Sequence, residues 1–208
     1  VHTRVHDDKH WFEGRAVAET AKSLTWRYMM RVPPFEDDLA ADAALVSSFN
    51  EICDDVSGVD TLRSARIEST QITPRMREIR GLDLATRRTI YEQERLADQV
   101  RWYRQKSVYN KQRARFWGWI NVSSELAAIG AAIGVIFSEM PWINAVGVFA
   151  AVTVAATAWT QLGQHSLLTR SYAVAAAELA RIQALARDAT TEEDLCNAVR
   201  NGEGAISR

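Results

Sequence analysis

Residues Trp119–Gly163 read WINVSSELAAIGAAIGVIFSEMPWINAVGVFAAVTVAATAWTQLG, and this stretch decides the fold. It holds two apolar segments, Trp119 to Ser138 and Trp142 to Gly163, parted at Ser138-Glu139-Met140-Pro141. An α-helix rises ~1.5 Å per residue, so roughly 20 residues cross a hydrocarbon core of about 30 Å. Both segments have that length, and the break between them is too short for anything but an antiparallel pair. A helix on the surface of a soluble bundle keeps a polar face. These segments carry only scattered Asn, Ser and Thr, so the reading is a transmembrane hairpin. Trp117, Trp119 and Trp142 stand near segment ends, where indole rings settle in the headgroup layer.

Working outward, the 54 residues between Arg115 and Arg170 contain no Lys or Arg, and their acids are Glu125 and Glu139. The regions on either side are rich in charge. Between Ala85 and Arg115 nine Lys/Arg face three Asp/Glu. Basic residues beside a span mark its cytoplasmic end. Arg101, Arg104, Lys106, Lys111, Arg113 and Arg115 precede the first segment, Arg170 follows the second, and the turn has none. A multi-pass protein of the cell (inner) membrane with both termini of this chain cytoplasmic is expected, with the lipid bilayer as its first partner.

The flanks read as helices. One runs from His10 to Arg31 and stops at Pro33-Pro34, because proline lacks a donor and restricts the residue before it. A second covers Asp37 to Asp55. Thr73-Pro74 opens a short helix that Gly81 closes, whereas Val59 to Gln71 has little pattern. A long charged helix spans Leu84 to Phe116 with Tyr91, Leu96, Val100 and Tyr103 on one face. After the hairpin, Leu168, Tyr172, Ala175, Leu179, Ile182 and Ala186 repeat at alternating spacings of four and three, a coiled-coil seam. Its natural neighbour is the charged helix, returned alongside by the hairpin. Thr190 and Glu193 have capping-box spacing for a last helix ending at Gly202. The expected fold is therefore all-α: a transmembrane hairpin continuous with long antiparallel cytoplasmic helices, plus packed shorter helices. The regions are 1–83, an N-terminal helical region; 84–118, a stalk helix; 119–163, the hairpin (119–138 and 142–163); and 164–208, a second stalk helix with a short helix.

Glu125 is the most informative single residue, because an ionised side chain inside a span costs on the order of 3 kcal/mol on insertion scales. It either lines a pore as a cation-attracting group or reaches interfacial water near the span end. Gly130 and Gly134 form a GxxxG, and Gly147, Ala151 and Ala155 continue small residues in the second segment. Such faces let helices approach closely, within one chain or between chains. His2, His6 and His10 share a four-residue spacing, but no glutamate base lies between them as in zinc enzymes, and a frayed terminus explains them better. Cys53 and Cys196 form no CxxC, so a reduced compartment is the default. A net charge of −1 argues against a nucleic-acid partner. With no phosphate loop, nucleophile elbow or paired carboxylate motif, no catalytic residue, metal ligand or cofactor is expected.

Several stretches resemble the SLATT superfamily of membrane proteins. They are Trp11-Phe12-Glu13-Gly14-Arg15-Ala16 with Ala18-Glu19, then Lys22-Ser23-Leu24-Thr25-Trp26-Arg27-Tyr28 and Pro34-Phe35. Ile72-Thr73, Met76-Arg77, Arg80, Arg87, Tyr91, Arg95, Gln99, Trp102-Tyr103, Lys106, Asn110 and Ala114 continue the likeness. It implies a prokaryotic two- or four-span protein of a defence or conflict system, acting as an oligomeric pore-forming effector. It also implies, as trigger, a nucleotide second messenger from a partner synthase. Relatives usually carry another pair of spans upstream, so the chain reads as part of something longer. Trp11, Arg15, Glu19, Trp26 and Arg27 would form a helix docking on the stalk through Trp102 and Tyr103, a structural role. Two functions are open: a homo-oligomeric effector that permeabilises the bilayer, or a membrane-anchored helical scaffold without pore activity.

Overall fold

The computed structural model describes residues 2–55, 71–137 and 145–207, with side chains over 14–52, 54, 71–134 and 146–207. The turn at Ser138-Glu139-Met140-Pro141, Trp142 and most of the Val59–Gln71 stretch lie outside the described residues, as do the side chains of Trp11, His2, His6 and His10. The chain is all-α, and no strand occurs among the described residues. It forms two compact units, 1–100 with 177–208, and 101–176.

In the first unit, α1 (His2–Met29) packs against α2 (Ala41–Asp55) and α3 (Pro74–Gly81). Helix α1 begins eight residues earlier than its sequence pattern suggests and stops before the two prolines. Arg31, at φ 58°, takes the chain out of the helix in a left-handed conformation. Helix α3 opens as its sequence dictates: Thr73 accepts a hydrogen bond from the Met76 amide, and Pro74 needs no donor in the first turn. Asp83 caps α4 (Leu84–Ile90) through the Thr86 amide.

The charged helix expected over Leu84 to Phe116 is not uniform. A π-helical turn, Tyr91–Leu96, separates α4 from α5, and α5 (Ala97–Phe137) then runs without interruption through the first apolar segment. A π-turn fits one extra residue into the helix and rotates the residues beyond it. Here it leaves Tyr91, Arg95 and Leu96 all buried.

The last helix, α8 (Glu192–Ile206), is capped one residue later than expected. Thr191 accepts from the Asp194 amide, and Asp194 accepts from the Thr191 amide in return. Gly202 lies inside α8 rather than ending it. Helix α8 packs on α1, and Leu195 and Val199 join Tyr28, Phe35, Leu45, Leu96, Leu179 and Ile182 in one core. Each fully buried large apolar side chain contributes roughly 1.5–3 kcal/mol.

The second unit holds most of α5, then α6 (Ala145–Gly163) and the first turns of α7 (His165–Asp188). Its contacts fix an antiparallel pairing. Trp102 and Tyr103 meet Tyr172, Ser107 donates to the Thr169 carbonyl, Asn110 meets His165, Trp117 meets Trp159, and Ser124 meets Thr153. As the first partner advances along the chain, the second steps back by a similar amount.

Candidate functional site

The two arms of the second unit meet along a seam that carries polar groups. On α5 the covered positions include Asn110, Ala114, Trp117, Asn121 and Ser124, spaced four, three, four and three, with Ala127, Ala128, Ala131 and Ala132 half-covered beyond them. On α6 they include Phe149, Thr153, Ala156 and Thr160. The Ser124 and Thr153 hydroxyls lie 2.7 Å apart, and the Trp117 and Trp159 rings 6.1 Å apart. Two seam atoms, Trp117 Nε1 and Asn121 Oδ1, are buried without a hydrogen-bond partner.

The opposite faces are open. Phe116, Trp119, Leu126, Ile129, Val148, Val154, Trp159 and Leu162 are each more than half exposed. Among the described residues one helical stretch, Val146–Asp188, is long and apolar enough to cross a membrane, and only 6% of its most apolar window is buried. A core helix of a water-soluble bundle would be covered; this one is not. The α5 arm is more polar over its first turns because of Asn121, Ser123, Ser124 and Glu125.

Glu125 is exposed, beside the buried Ser124 but off the seam. It lies six residues past Trp119, ~9 Å along the helix. Trp119 is 69% exposed, and the Trp117–Trp159 pair lies beside it, which marks an aromatic level on both arms. Gly130 and Gly134 face outward, where a Cβ would meet nothing within 4 Å. Gly147, Ala151 and Ala155 are exposed too. The described contacts between the two arms run through the Trp117–Trp159 and Ser124–Thr153 pairs. Nothing in the stripe of small residues distinguished its own arm from another neighbour, whereas the four-three spacing of Asn110 to Ser124 was there to be read.

Three arginines quoted for the resemblance, Arg80, Arg87 and Arg95, form a ladder in the first unit. Arg80 donates to the Tyr28 carbonyl at 2.7 Å and to Asp38 at 2.6 Å. Arg87, 1% exposed, donates to the carbonyls of Leu82 and Met30 and pairs with Glu192. Arg95 holds both oxygens of Glu203, at 3.1 and 2.7 Å, in a pair buried on both sides, and the Tyr91 hydroxyl donates to Glu203 at 3.2 Å. Burial, reinforced by the Glu203 charge, pushes the Tyr91 phenol well above its ordinary range. Each guanidinium thus satisfies backbone groups or acids from α1, from the segments that follow α1 and α3, or from α8.

Trp26 meets Tyr91 edge-on at 5.7 Å, whereas Trp102 and Tyr103 meet Tyr172 at 5.9 and 6.0 Å. The ring against Trp26 is thus Tyr91, within the first unit. Arg27 donates to the Pro33 carbonyl, Glu19 pairs with Lys22, and Arg15 is exposed.

A cleft of about 510 Å³ in the same unit is lined by Arg31, Glu36, Glu192, Glu193, Cys196, Asn197 and Arg200. Arg31 and Glu192 there are already engaged with Asp38 and Arg87. Among the described residues no cluster of His, Cys, Asp and Glu could hold a metal ion.

Two family descriptions match the chain. Residues 91–208 match the SMODS and SLOG-associating 2TM effector domain 1, and residues 1–88 match the SMODS and SLOG-associating 2TM effector domain 3. The second match falls where no described helix is long and apolar enough to cross a membrane. No curated protein and no solved structure matches the chain.

Proposed function

Since the chain belongs to the SLATT family of two-span effector domains, we propose that its paired arms cross the bilayer together and assemble with other copies into a path for ions. The observation that carries this reading is the uncovered apolar arm, 6% buried over its most apolar window, which needs lipid or another chain around it. Glu125 on the exposed side of the neighbouring arm adds to it, because a carboxylate ~9 Å beyond the Trp119 level is costly against lipid and is accommodated beside water. Nine residues separate Glu125 from Gly134, which at ~100° per residue places them on opposite sides of α5. A contact between copies through Gly130 and Gly134 leaves the Glu125 side for a water-filled path.

In this reading both termini of the chain lie in the cytoplasm, where Arg101 to Arg115 and Arg170 stay. The trigger is a nucleotide second messenger from a partner synthase, in keeping with the SMODS and SLOG association in the family description. The chain acts without catalysis. One observation favours the rival reading of a simple tether: a single described stretch passes the length and apolarity test.

Liposomes carrying the full chain, with and without a co-purified synthase and its product, separate the two. Permeation of cations that falls several-fold in Glu125→Gln is the expected result. A sealed membrane in both conditions, with the protein inserted, leaves the tether.

A further inference from the structure

Helices α6 and α7 form one helical stretch interrupted only at Gln164, which has a positive φ of 43°. A residue with a β-carbon rarely adopts that conformation, and persists in it only where its surroundings impose it. The surroundings here are specific. His165 Nδ1 lies 2.9 Å from Asn110 Oδ1, and Asn110 Nδ2 donates to the Lys106 carbonyl at 2.9 Å. The Lys106 carbonyl thereby fixes which way the Asn110 amide points, so Oδ1 accepts and His165 Nδ1 donates. Asn110 is 6% exposed, and Ser107 adds a bond to the Thr169 carbonyl one turn further along α7. The other edge of the imidazole rests on Gly163, where a Cβ would lie 2.8 Å from Nε2.

We propose that Gln164 is a strained hinge at the end of the apolar arm, held out of helical φ by the Asn110–His165 latch. Opening the latch lets Gln164 return to helical φ, which turns the apolar arm relative to the start of α7. The hinge requires all three neighbours: Gly163 makes room for the ring, Asn110 captures it, and Gln164 carries the strain. Whether the hairpin conducts ions does not enter.

The test uses the full chain in phosphatidylethanolamine/phosphatidylglycerol nanodiscs, with Cys53→Ser and Cys196→Ser as background. Spin labels are placed by Val154→Cys and Val174→Cys, both exposed positions, and labelled chains are diluted with unlabelled ones. The two labels stand twenty residues apart, ~30 Å of helix. His165→Ala and Asn110→Ala should each shift their separation by a few ångströms from the parental value. Gln164→Gly combined with His165→Ala should stay near the parental distance, because glycine occupies positive φ without strain. Should His165→Ala fail to insert, Asn110→Ala asks the same question. Unchanged distances in both latch variants overturn the proposal, as does a shift that Gln164→Gly does nothing to reverse.

Discussion

Gly202 lies so close to Tyr91 that a β-carbon on it would sit 2.5 Å from the phenol oxygen and 3.2 Å from Leu96 Cδ2. Helix α8 therefore approaches the π-helical turn at a distance only glycine permits. The approach delivers the next residue, Glu203, to Tyr91 and Arg95.

Gly202→Ala should destabilise the first unit by about 1–2 kcal/mol. Overpacking costs about 1–3 kcal/mol, and alanine returns up to ~1 kcal/mol of helix propensity. Tyr91→Phe removes the oxygen that the new methyl would strike, so the double variant should lose less than the sum of the two singles. Chemical denaturation of the four proteins in detergent measures this, and strict additivity would show that the contact does not limit the approach.

The Arg95–Glu203 pair sits with side chains 5% and 2% exposed. Removing one partner strands a buried charge, at roughly 3–5 kcal/mol, whereas replacing both with apolar groups of similar volume is often near neutral. Glu203→Leu should thus melt far below the parent, and Arg95→Met/Glu203→Leu should recover most of the loss. A double variant no better than the single would mean the pair supplies more than mutual neutralisation, with Tyr91 as the group left unserved.

How far the sequence discloses this architecture depends on the range over which each device acts. Thr73-Pro74 and the Leu168 to Ala186 seam are legible because a cap and a heptad repeat are written in adjacent residues. The last cap lies one position beyond the expected one because Thr190 and Thr191 each have an acid three residues on, Glu193 and Asp194, and local spacing cannot choose between them. Gly202 resembles a helix stop, since its partner Tyr91 is more than a hundred residues away in the chain. The π-turn is invisible for a similar reason: YEQERL suits an α-helix equally well, and the bulge appears only once Arg95 must reach Glu203. In the hairpin, apolar length is plain, but which face packs inward rests on Ser124, Asn121 and Thr153 rather than on the more conspicuous glycines.

Asp42 and Glu92 are among the carboxylates that tie the first unit to pH. The Tyr28 hydroxyl, 2.5 Å from Asp42, holds that carboxyl below its ordinary range, with Arg77 helping. The Arg187 guanidinium does the same for Glu92, with Gln183. A carboxyl depressed in the folded state contributes stability above its unfolded pKa of about 4, and loses it as pH falls through the folded value. Thermal melts should therefore be level near neutrality and drop below pH ~4. Asp42→Asn should melt below the parent at pH 7 and converge with it in acid; a gap that does not depend on pH would rule the linkage out. The same hydroxyl, pushed up to about 12 mainly by burial, should remain protonated when ordinary tyrosines titrate near 10.

The Ser124 and Thr153 hydroxyls lie 2.7 Å apart across the arms, and each also has a carbonyl of its own helix in reach, Asn121 and Phe149. With one proton apiece, one hydroxyl donates across the arms while the other keeps its carbonyl. The donor can turn back to its own carbonyl, so losing the cross-arm bond is inexpensive; such bonds in membranes average ~0.6 kcal/mol and rarely exceed ~1.7 kcal/mol. Thr153→Val, which keeps the shape, should lower stability in detergent by less than ~1 kcal/mol. Gly134→Leu adds bulk to an open face, where a Cβ meets nothing within 4 Å, and should leave the isolated hairpin equally stable. If copies pack through that face, the same leucine should shift the protein to smaller species in size-exclusion chromatography with light scattering. An unchanged oligomer distribution would instead place the contact between copies elsewhere and free the glycines from any part in it.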